Sequence, residues 1–214
     1  MAESVQQRLL RRARPYQTSK LGPSIDDISN IDVTKEVVDD LRLGLQSGDF
    51  DATKCALFFC QGLLQRSTSP KLFDLLQLEI PNLLRSEVPY LRGYVVPVTV
   101  AARQHLPNFR ATMLGLLADP DHAVRTAALL ATDTFLQKGE IEPLILFQSD
   151  TSVSETEAMG GPWRYVFRDE ALFRIEKLAG RSFRKYESSE INGERVVFWW
   201  DWQPFLDWWV ARRR

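Results

Sequence analysis

Two cysteines and two histidines are all that 214 residues contain, and that scarcity removes several kinds of chemistry. Cys55 and Cys60 stand five apart on an expected helix, so their side chains diverge by about 140° and no mutual disulfide is expected. They read as small buried hydrophobes of a reducing compartment. His105 and His122 have no Cys, His or carboxylate neighbour at metal-ligand spacing, so no metal site is assigned. A glycine-rich phosphate loop, a Walker motif, Gly-x-Ser-x-Gly and His-Glu-x-x-His are all missing. No catalytic residue and no cofactor follow, and the chain reads as a non-enzyme. An excess of charge is lacking too, with 27 basic against 28 acidic side chains. Nucleic acid, which needs a basic surface, is therefore disfavoured as a partner. No apolar run approaches the roughly 18 residues of a membrane span, and no apolar signal core opens the chain. The expectation is a cytoplasmic protein without membrane contact.

What is present is an ordinary globular composition, 44% hydrophobic and 26% charged, enough to bury a core unaided. Helical periodicity runs through most of it. A short basic helix is expected over 4–14, then a breaker-rich linker to 23. Helices follow at 33–46, 51–66 (capped by Asp51), 69–85, 89–104 and 108–118. Pro81 is expected to kink or split its helix and Pro97 to disturb the next. Asp119-Pro120-Asp121 makes a turn whose last residue caps a helix carrying Val124, Ala127, Ala128, Ala131, Phe135 and Leu136 on one face. Residues 148–162 read as a polar loop, and a helix resumes over 169–178. Asn192-Gly193 signals a two-residue hairpin, with Tyr186 facing Trp199.

Residues 43–65 ("LGLQSGDFDATKCALFFCQGLLQ") align with 114–137 ("LGLLADPDHAVRTAALLATDTFLQ") at offsets of 71 to 72. That is about two units of 36 residues, the mark of helix pairs stacked as a solenoid. The stretch "LGLLADPDHAVRTAALLATDTFL" (114–136) resembles a HEAT repeat. The resemblance implies a mostly α, HEAT-like α-solenoid of antiparallel helix pairs over 24–147, with Asp119 and Arg125 tying neighbouring repeats by polar contacts. "LFRIEKLAGRSF … WDWQPFLDWW" likewise resembles the ends of bacterial HEAT-like chains, with the small β-hairpin as an insertion. Residues 163–214 would then be a cap of helix, hairpin and Trp-rich helix.

Five of the six tryptophans lie within 198–214. From a cap at Asp201, Trp202, Phe205, Leu206, Trp209 and Val210 form one apolar stripe, the spacing of a helix that closes the open end of a core. Trp208 falls off the stripe, and Trp199 projects opposite Trp200. These two either stack beneath the hairpin or serve as aromatic anchors for a partner.

Charge is unevenly placed. Residues 1–20 hold Arg8, Arg11, Arg12, Arg14 and Lys20 against Glu3, while 24–51 hold eight acids against Lys35 and Arg42. Adjacent acids such as Asp26-Asp27 and Asp39-Asp40 diverge on a helix and suit a solvated face rather than a catalytic pair. Glu36, Asp39, Asp40 and Leu43 share one helical face, apolar at the centre and acidic at the rim, which is interface-like. Either that face meets a basic partner, or Leu43 packs under the basic N-terminal helix and the acids pair with its arginines. The functional expectation is a protein-binding module. By the HEAT resemblance it is an adaptor, or an immunity-type bacterial inhibitor of a basic toxin or nuclease. The alternatives are a HEAT-like DNA glycosylase and a structural subunit; no oligomeric state is read from the sequence.

Overall fold

The computed structural model describes residues 3–150, 153–158, 161–183, 186–191 and 194–213, the strands by backbone alone. Helix predominates, and the chain divides into two compact units, residues 1–112 and 113–214.

In the first unit, α1 (Val5–Ala13) starts at a capping box in which Ser4 and Gln7 satisfy each other's backbone N–H. The four-residue α2 (Ile25–Ile28) starts the same way, with Ser24 and Asp27. Thr34 caps α3 (Lys35–Leu45). Gly48, at φ +70°, supplies the left-handed turn into α4 (Phe50–Leu63). The cap of α4 is Asp49, whose Oδ1 accepts from Ala52 N at 2.8 Å, rather than the expected Asp51. Pro70 and Pro89 open α5 (Pro70–Leu83) and α6 (Pro89–Ala101), where a missing N–H costs no helical bond. Pro81 and Pro97 lie inside these helices without dividing them, and both are exposed, where water can reach the carbonyls they leave unbonded.

Helix α4 is the hub of this unit, packed against α1, α2, α3 and α6. Two glycines let it be approached closely. A Cβ on Gly44 of α3 would stand 2.8 Å from the Cβ of Ala56, and one on Gly62 of α4 would stand 2.7 Å from Ile28. Leu41, Leu57, Phe59, Leu63, Leu72, Leu76 and Val95 fill the core between these helices. Each such side chain contributes about 1.5–3 kcal/mol by leaving water.

The second unit is built differently. The division falls within α7 (Phe109–Leu117). Asp121 caps α8 (His122–Leu130), accepting from Ala123 N and Val124 N. After a short 3-10 turn and α9 (Glu142–Ile145) come β1 (Val153–Ala158) and β2 (Gly161–Val166), then α10 (Phe167–Ala179), β3 (Tyr186–Ile191), β4 (Glu194–Trp200) and α11 (Gln203–Arg213).

The expected HEAT-like solenoid with one small C-terminal β-hairpin is corrected by this unit. Two separate antiparallel two-stranded sheets form, β1–β2 and β3–β4, with β1 inside the polar loop expected over 148–162 and β2 running from its end into the expected cap. The expected register fails as well. Tyr186 stands opposite Trp200, not Trp199, and an irregularity between Glu187 and Ser188 shifts the pairing. The helix expected to run through Phe135 and Leu136 stops at Leu130, where Thr132 turns its hydroxyl onto the Leu129 carbonyl. Arg125 donates to the carbonyls of Asp119 and Pro120 and pairs with Asp150 at 3.0 Å, so it fastens the turn before α8.

In α11, Asp201 Oδ1 accepts from Gln203 N, and Trp202, Phe205 and Trp209 are buried while Val210 is exposed. Burial of each such indole is worth about 2–3 kcal/mol. Trp208 is half-buried, its ring 4.9 Å from that of Phe183.

Candidate docking face

The residues expected to form an acidic face separate in the structure. Asp40 is buried on α3 beneath α1, where Arg8 Nε meets its Oδ1 at 2.7 Å and Arg12 Nη2 its Oδ2 at 2.9 Å. Its charge is answered inside the molecule. Asp39 is half-buried between Lys35, at 2.5 Å, and Arg42, at 3.5 Å. The Lys35 hydrogen bond holds its carboxyl below the ordinary range. Glu36 is exposed, its carboxyl lowered first by a hydrogen bond with the Thr34 side chain. Leu43 remains 54% exposed rather than packed beneath α1. Trp208 leans on Phe183, Phe205 and Trp209, and the side chain of Trp199 lies outside the described residues. Of the expected acidic face Asp40 is thus covered, while Glu36, Asp39 and Leu43 still reach solvent.

Exposed aromatic side chains lie elsewhere, along α4 and α6. Phe50, Lys54 and Phe58 recur every four residues on α4, and Tyr90 and Tyr94 do so on α6, so each set shares one helical side. All five are exposed, and the rings of Phe50 and Tyr94 meet edge to face at 6.2 Å. Lys54 Nζ lies 4.7 Å from the Tyr94 ring centre, a cation–π contact. On one side of this aromatic pair is a groove of about 470 Å³ bordered by Lys54, Cys55, Phe58, Tyr94 and Pro97. On the other is a groove of about 620 Å³ bordered by Phe50, Leu78, Val88 and Leu91, with Gln46 and Glu79 among its lining.

Burial pushes the Cys55 thiol up to about 11, so at neutral pH it is protonated and a poor nucleophile. Among the described residues no group of three or more His, Cys, Asp or Glu is placed to hold a metal. His105 is exposed, and His122 is half-buried. His105 stacks on Phe73 at 3.5 Å, and His122 sets its ring against Phe167 at 5.6 Å with neither nitrogen hydrogen-bonded. No described helix is long and apolar enough to cross a membrane.

Sequence reasoning passed over Phe50, Phe58, Tyr90, Tyr94 and Glu79. The signal for the aromatics was their four-residue spacing on helices otherwise read for their buried faces. For Glu79 it was an acid set on the apolar stripe of Leu72, Leu75, Leu76 and Leu83.

No known protein family matches the chain, and no solved structure matches it. The chain is similar to a UPF0111 protein of Thermotoga maritima, 28% identical over 166 residues, a span of 71% of this chain and 76% of that protein.

Proposed function

We propose that this chain is a non-enzymatic protein-binding module and that its partner docks on the aromatic face of α4 and α6. One observation carries this reading: Phe50 and Tyr94 meet as an exposed ring pair, each bordering a groove, and Phe58 is exposed on the border of the Tyr94 groove. Large exposed aromatics in a cluster are what a soluble protein avoids unless something covers them, and they are the residue types that dominate binding energy at interfaces. The narrower use as an immunity-type inhibitor of a basic toxin draws support from Glu36 and Asp39 only. Asp40 is already paired, and Asp39 carries its own local cations.

The test is photo-cross-linking in the cells that make the protein, with a benzophenone side chain in place of Phe58 or, as control, of the fully exposed Leu21. A discrete protein adduct is expected from position 58 and none from position 21. Equal labelling at both positions, or none at 58, would sink the proposal.

A further inference from the structure

We propose that the groove beside Phe50 receives a basic side chain, Lys or Arg, of the partner protein, and that Glu79 is the group that receives it. The inference rests on the protein-binding reading for the source of that side chain. Its ground is an imbalance inside the first unit. Glu79 belongs to the buried stripe of α5 and is only 5% exposed. Its partner is the Gln46 side-chain amide, Nε2 donating to Oε1 at 2.6 Å, and no Lys or Arg among the described residues pairs with it. A carboxylate out of water with one neutral donor is under-compensated. The same unit shows what compensation looks like, since Asp40 has two guanidinium partners.

The surroundings of Glu79 suit a long basic side chain. Glu79 lines a groove of about 620 Å³ that is also bordered by Leu78, Val88 and Phe50, each of them exposed. Apolar walls with one buried acid complement the build of Lys and Arg, an aliphatic stem ending in a cation. Asp49 also lines the groove and adds negative charge. A cation brought to Glu79 acts where water screens little, so the pairing is selective for charge rather than for shape alone. Beyond the Phe50–Tyr94 pair lies the second groove, which offers apolar room for the residues flanking the inserted side chain. That extent favours a protein segment over a free small cation.

The experiment titrates the full chain with acetyl-Leu-Arg-Leu-amide, with the same peptide carrying citrulline for arginine, and with argininamide, read by amide NMR shifts. Citrulline keeps the shape and removes the charge. The arginine peptide is expected to shift amides of Leu45–Phe50 and Leu78–Leu91. It should bind roughly 10- to 100-fold more tightly than the citrulline peptide, the worth of one hydrogen bond to a charged group. In Glu79→Gln that preference should vanish. Equal affinity for the two peptides, shifts confined to other segments, or no shifts at all would each overturn the proposal. So would argininamide binding as tightly as the peptide, which marks a small-cation site. The peptide comparison is made on the unmodified chain, so it stands even where the variant misfolds. Arginine-peptide binding without an adduct at position 58 would count against the protein-binding reading alone; an adduct without charge preference would count against the groove alone.

Discussion

Asp40 and Glu79 are both acids on helices of the first unit, and both are nearly removed from water, at 7% and 5% exposure. Their surroundings differ in one respect. The region around Asp40 is roofed by α1, which brings Arg8 and Arg12 onto the carboxylate. The region around Glu79 has no such roof; Gln46 reaches it from the end of α3, and the remaining side is a groove. The contrast separates two uses of a buried charge. One fastens helices together, and its removal leaves two guanidiniums facing a void. The other is left open to what arrives from outside, and its neutralisation costs the fold little.

Three substitutions break or sharpen that contrast. Asp40→Ala is expected to cost the most, about 3–5 kcal/mol, because two partly buried cations lose their counter-charge. Urea unfolding checks it, and a loss under about 1 kcal/mol would place Asp40 with ordinary surface pairs. Arg12→Ala should cost about 1–2 kcal/mol, since Arg8 still answers the carboxylate. Equal losses from Arg12→Ala and Asp40→Ala would show that Arg8 contributes nothing. Glu79→Gln should fall within about 0.5 kcal/mol of the parent or stabilise it, as replacing an under-compensated charge by its neutral isostere does. A thermal melt showing a loss above about 2 kcal/mol would make Glu79 structural and end the contrast.

Much of the first unit was legible in its punctuation. Pro70 and Pro89 mark helix starts, Gly48 marks a turn, and the apolar spacing on α3 to α6 marks their buried faces. The short α2 was missed although Ser24 and Asp27 spell its capping box, because four residues show no periodicity. The second unit was less readable. Its first strand, Val153–Ala158, is polar, and the second alternates only briefly, at Trp163, Arg164 and Tyr165. The end of α8 is marked by a hydroxyl bond and a 3-10 turn that no apolar spacing announces, and the shift between β3 and β4 by one irregular step. At the candidate site the helical wheel put Glu36, Asp39, Asp40 and Leu43 on one face. It could not say which of them α1 would cover, since that depends on contacts 28 and 32 residues away. Glu79 was visible as an acid on an apolar stripe, but its meaning depends on Gln46, 33 residues earlier.

The position of α4 among α1, α2, α3 and α6 has a consequence in time. The helix is covered on several sides at once, with close approaches at Gly44 and Gly62. Openings that release α1 alone need not disturb it, whereas freeing α4 requires the first unit to come apart as a whole. In hydrogen–deuterium exchange its central amides are accordingly the last of that unit to trade protons with solvent, and their rate reports the unit's global stability. The aromatic face rides on this slowest element, so a partner meeting Phe50 and Phe58 meets a surface already held in shape and gives up little freedom to order it.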